Sequence, residues 1–132
     1  MEKIIEAFLA PPVAMLRDNP AAGPVFAKLL GRMLAEGDLL PHILGGYMDV
    51  VFQRFAAALR RALPDLPEPE LLWRIHFTLG VMAHTLRGSP ELANLTGGRF
   101  NPCPNQAVLE RMVAFLSAGF RSPKGCIDES LA

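Results

Sequence analysis

The segment from Leu71 to Gly88, LLWRIHFTLGVMAHTLRG, limits what this chain can fold into more than any other stretch. A helix on the surface of a small globular protein is apolar along one stripe and polar over the rest. Here Leu71, Leu72, Trp73, Ile75, Phe77, Leu79, Val81, Met82, Ala83 and Leu86 cover most of the circumference. Wound at about 100° per residue, Glu70, Arg74, Thr78 and Thr85 fall on one narrow stripe, expected to face solvent. Glu70 and Arg74 also stand at the i, i+4 spacing of an ion pair. Leu71, Ile75, Leu79 and Met82 are expected to face inward. His76, Gly80, Ala83 and Arg87 lie on another side, with Phe77 and His84 at its edge.

The segment from Pro104 to Phe120 repeats the pattern. Gln106, Glu110, Ser117 and Arg121 form its expected wet stripe, while Val108, Leu109, Met112, Val113, Phe115, Leu116 and Phe120 cover a broad remainder. Two arrangements satisfy such helices. Either both are central helices of a monomeric bundle, or each has one face in the core and another against a second subunit. Two helices from each chain would then form an intermolecular four-helix bundle, a common two-fold arrangement. Few helices are left to cover two broad faces internally, so the second arrangement is favoured.

The rest of the chain reads as helix and turn. Apolar and polar residues nowhere alternate for long enough to make a strand. A first helix is expected over Glu2 to Arg17, with a kink or short break at Pro11-Pro12, where amide donors are lost. A second fits Gly23 to Glu36, with Gly37 as its stop, and a third fits Leu39 to Leu63 after Asp38 as N-cap. The proline-rich turn 64–69 leads into the fourth helix, Glu68 to Arg87. Gly88 to Cys103 is expected as a long loop, and the fifth helix spans 104–120. The fold class expected is therefore all-α, a five-helix orthogonal bundle with room for short extra turns. It would occupy residues 1–121, followed by a flexible tail over 122–132.

Composition narrows the function. At 132 residues, 51% hydrophobic and 20% charged, the chain can bury a core as one domain. Thirteen basic and thirteen acidic residues give zero net charge, without the basic excess of a nucleic-acid-binding surface. Cys103 and Cys126 lack metal-ligand spacing, so free thiols, no metal and a cytoplasmic setting are expected. No apolar run reaches the ~18 residues of a membrane span. His76 and His84 stand about 80° apart on one helix, not at the i, i+4 spacing of a zinc helix, and His42 stands elsewhere. No nucleophile elbow, phosphate-cradling loop or catalytic carboxylate pair is present, so no enzyme and no cofactor are expected.

The kinked start "EKIIEAFLAPPVAMLR", the segment "FAKLLGRMLAEGD" and above all "RALPDLPEPELLWRIHFTLGVMAHTLRG" resemble the C-terminal domain of TetR-family transcriptional regulators over about Glu2 to Phe120. The resemblance implies an all-helical domain that binds an inducer in an apolar cavity and dimerises through its last two long helices. It implies a homodimer of a repressor, a small and mostly hydrophobic effector, and DNA contact only through an N-terminal helix-turn-helix domain that this sequence lacks. Candidate ligand contacts are the adaptable or aromatic side chains of Phe8, Met15, Phe26, Met33, Tyr47, Phe77 and Met82, with Met48 of the same type. Each could equally be core filler. Candidate dimer contacts are His76, Gly80, Ala83, His84, Arg87, Val108, Met112 and Phe115. The rival reading is a helical dimerisation module with no ligand.

Overall fold

A computed structural model describes residues 1–35, 39–88, 90–100 and 105–123, all helix, turn or irregular chain. Among the described residues six helices follow in order: α1 (Glu2–Asp18), α2 (Gly23–Ala35), α3 (Leu39–Ala62), α4 (Glu68–Arg87), α5 (Pro90–Leu95) and α6 (Gln106–Arg121). Gly37, Asp38, Cys103, Cys126 and the expected tail beyond Pro123 lie outside the described residues, as do the side chains of His42, Met33, Tyr47 and Met48.

Helix α1 runs continuously through Pro11 and Pro12, so of the kink or short break expected there the break does not occur. The two missing N–H donors are adjacent, so they open a single gap in the hydrogen-bond ladder. The buried stripe Ile5, Leu9, Val13 and Leu16 continues on both sides of that gap and holds the helix together by packing. At its end, Gly23 opens α2 against Leu16. A Cβ at position 23 would stand 2.9 Å from the Leu16 carbonyl oxygen, so only glycine fits this approach.

Helix α4 is framed by local chemistry. Pro69 sits in its first turn, Glu68 and Glu70 complement the positive end of the helix dipole, and Arg87 lies in the last turn. Gly88 closes it with φ of 81°, its N–H donating to the Thr85 carbonyl. At the start of α6 the Asn105 side chain accepts a hydrogen bond from the Val108 N–H at 3.0 Å, a standard N-cap. Between them the expected loop contains the short helix α5. It ends in Gly97 and Gly98, both at positive φ, with the Gly98 N–H bonded to the Ala93 carbonyl at 2.8 Å.

The core is built around α1, which packs most extensively on α6 and also touches α2, α3 and α4, while α2 lies along α4. Ile5, Leu9, Val13, Phe55, Leu59, Leu71, Ile75, Met82, Leu86, Leu109, Met112, Leu116 and Phe120 form one continuous cluster. Phe8 stacks on Phe55 across α1 and α3, ring centroids 4.1 Å apart.

The expected solvent stripe of α4 turns inward, whereas that of α6 is exposed at Gln106, Glu110 and Arg121 and buried only at Ser117. On α4, Arg74 and Thr78 are buried. The reason lies in the last turn of α6, whose carbonyls have no partner within their own helix. Arg74 Nη1 donates to the Phe120 carbonyl at 2.6 Å and Nη2 to the Ser122 carbonyl at 3.1 Å. Its Nε donates to Glu70 Oε1 at 2.9 Å, and the Thr78 hydroxyl donates to the Arg74 carbonyl at 2.8 Å. A buried guanidinium satisfied on every side suits the negative end of a helix. The periodicity grouped the α4 residues correctly, but that group faces another helix and not water.

Candidate functional site

With Leu71, Ile75 and Met82 in the core and Leu79 half-buried, the opposite side of α4 is outside. Trp73, His76, Phe77, Gly80, His84 and Arg87 line it and are exposed, and Ala83 is half-buried. Trp73 is 54% exposed and Phe77 58%, although large aromatic side chains bury most of their area in an ordinary core. The Trp73 ring meets His76 edge-on at 5.7 Å and tilts against Phe77 at 5.8 Å, so the three rings form one cluster.

Helix α6 adds Phe115, 69% exposed. Gly119, one turn further along, and Gly80 on α4 have no atom within 4 Å of where a Cβ would stand. A groove of about 520 Å³ therefore runs between the two helices, walled by His76, Phe77, Gly80 and Val81 on one side and Phe115 and Gly119 on the other. Its lining is mostly apolar. Contiguous exposed apolar surface of this kind marks a contact site.

Each candidate residue has a definite place. His76, Gly80, His84, Arg87 and Phe115 lie on this exposed face. Val108 is half-buried against the core, and Met112, expected at the dimer contact, is only 5% exposed within the core. It therefore has little area to offer a partner. Of the expected ligand contacts, Phe77 lies on the outer face and Met82 is in the core at 5% exposure. Phe26 is half-buried against the core, Met15 is 39% exposed, and Phe8 lines a separate groove between α1 and α3. Met33 and Tyr47 carry no described side chain. Trp73 was missed as a site residue. It stands four positions before Phe77, on the same helical face, and that spacing was the available signal.

Charge at this face is modest. Arg87 pairs with Glu91 at 3.5 Å, and Arg111 turns back to its own helix, donating to the Ala107 carbonyl at 3.0 Å. Among the described residues no three His, Cys, Asp or Glu side chains converge on a metal position. None of the described helices is long and apolar enough to cross a membrane.

Together these features define an all-α bundle domain with an exposed aromatic face on its fourth and sixth helices. The sequence profile described as "Tetracyclin repressor-like, C-terminal domain" matches residues 6–119, and the chain belongs to that family. Its members are regulatory domains, not catalytic ones. No curated protein and no solved structure matches the chain.

Proposed function

We propose that this chain is the effector-sensing and homodimerisation domain of a TetR-like transcriptional repressor, acting in the cytoplasm on a small, mostly hydrophobic molecule. The observation that carries the dimer is the exposed face of α4 and α6, with Trp73, Phe77 and Phe115 each more than half exposed. An aromatic side chain presents roughly 150–250 Å², so three half-exposed rings leave about 300 Å² per chain. Two copies contribute about 600 Å², roughly half of the ~1,200 Å² at which stable interfaces begin. Leu72, His76, His84 and the backbone at Gly80 and Gly119 supply the remainder in this reading. DNA contact is assigned to a separate helix-turn-helix domain, in keeping with the zero net charge of these residues.

Sedimentation equilibrium tests the dimer. Wild type is expected to be dimeric at micromolar concentration, and Phe115→Glu and Phe77→Glu monomeric with intact helical content. A wild-type monomer at about 100 µM sinks the dimer reading. Thermal shift with a panel of hydrophobic compounds tests effector sensing, because a ligand that binds only the folded state raises the melting temperature. A panel without any stabilising compound favours the ligand-free dimerisation module.

A further inference from the structure

A second groove, of about 550 Å³, lies between α1 and α3, lined by Lys3, Ile4, Ala7, Phe8, Val51, Arg54, Phe55 and Ala58. It shares no residue with the α4/α6 face, so self-association there leaves it open. Its floor holds the Phe8–Phe55 stack, with planes 9° apart. Its only charged groups among the described residues are two cations, one from each helix, and both are exposed. Elsewhere in the described structure five arginines are paired with acids, Arg17 with Asp18, Arg60 with Glu68, Arg74 with Glu70, Arg87 with Glu91 and Arg121 with Glu2, while Arg99 and Arg111 donate to backbone carbonyls of their own segments. Among the described residues neither Lys3 nor Arg54 has an acidic partner, and no carboxylate lines the groove.

We infer that this groove binds an amphipathic organic anion, a monocarboxylate with a flat aromatic body. The body lies against Ile4, Phe8, Val51 and Phe55, and the carboxylate lies between the ammonium of Lys3 and the guanidinium of Arg54. The volume falls within the roughly 300–1,000 Å³ of small-molecule sites. An apolar floor with a few charged groups at its edge is how such sites combine affinity with orientation. The inference rests on the effector-sensing reading and gives the effector a chemical class. Its place in the fold suits that role, because α1 forms one wall of the groove and also packs on α6 and α4. A ligand that prefers one spacing of α1 and α3 therefore biases the helix that supports the outer face.

The probes are 2-naphthoate, its neutral counterpart 2-naphthylmethanol and the cationic 2-naphthylmethylamine, titrated by calorimetry and by amide chemical shifts on the full chain. The carboxylate is expected to bind about tenfold more tightly than the alcohol, with the amine weakest and shifts centred on α1 and α3. Lys3→Gln and Arg54→Gln, both at exposed positions, are each expected to weaken the carboxylate about threefold to tenfold while leaving the alcohol unchanged. Raising salt weakens the carboxylate alone. Equal affinity for acid and alcohol, or carboxylate binding indifferent to both substitutions, overturns the inference. If neutral compounds stabilise the protein and shift residues elsewhere, the effector reading survives without it; if no compound binds at all, both fall.

Discussion

Glu2 and Arg121 join the beginning of α1 to the end of α6 through a two-point ion pair. Arg121 Nη2 donates to Glu2 Oε2 at 2.8 Å, and Nη1 stands 2.5 Å from Oε1. The guanidinium first, and the backbone at Glu2 second, hold the Glu2 carboxyl down from 4.5 to about 2. A carboxyl whose folded pKa is lowered adds stability above its ordinary value, and that stability is lost as pH falls through the folded one. The melting temperature of wild type is therefore expected to exceed that of Glu2→Gln at pH 6, with the difference closing between about pH 4.5 and pH 2. Both groups are exposed, so the difference is small and shrinks further in 0.5 M salt. A difference as large at pH 2 as at pH 6 would contradict this assignment.

Arg74 carries a much larger share of stability. Replacing it with Met keeps most of the stem but leaves the carbonyls of Phe120 and Ser122 without their donor. The expected cost is about 2–4 kcal/mol in urea unfolding. Arg74→Lys should fall between the two, because one ammonium cannot match the forked geometry that serves Glu70 and α6 together. A loss below about 0.5 kcal/mol for Arg74→Met would show that water replaces the guanidinium at no cost.

Three glycines separate packing inside the chain from packing between chains. Gly23→Ala pushes a Cβ to 2.9 Å from the Leu16 carbonyl oxygen and should destabilise by about 1–3 kcal/mol. Gly80→Ala and Gly119→Ala meet nothing within the chain and should stabilise the isolated fold by roughly 0.5–1 kcal/mol, as helix propensity dictates. If the outer face self-associates closely, the same two substitutions weaken the dimer in sedimentation while raising the stability of the monomer. Unchanged dissociation constants would place the contact away from these glycines.

Ser117 is buried at 2% exposure, and its hydroxyl oxygen has no hydrogen-bond partner among the described residues. A buried hydroxyl without a partner costs about 1–3 kcal/mol of desolvation. Ser117→Ala is therefore expected to be neutral or stabilising by up to about 1 kcal/mol in chemical denaturation. A clear loss of stability would reveal a hydrogen bond to this oxygen.

Much of the fold was legible because its signals are local. Pro67, Pro69 and Gly88 bracket α4 where the sequence places it, and the 3, 4 spacing of Leu71, Ile75 and Met82 picks out its inner face. The destination of Arg74 was not legible. Its partners stand 46 and 48 positions away, and a helical wheel sorts residues by side without saying what each side meets. Helix α5 was hidden because six residues give too short a period, and the glycines after it read as loop. Met112 and Phe115 illustrate the same limit on α6. Both belong to the broad apolar arc, yet only the packing against α1 and α4 decides that Met112 is inside and Phe115 outside.

The bond from Arg74 to the Phe120 carbonyl also sets where α6 stops against α4. A slide of α6 by one turn would move its terminal carbonyls about 5.4 Å from the guanidinium. It would carry Phe115 and Gly119 equally far from Phe77 and Gly80. The alignment of the exposed rings is thus fixed from within, by a side chain that is itself buried. Changes in self-association can therefore arise from substitutions at a residue absent from the surface, and a search for such variants confined to the outer face would pass over the one that aligns it.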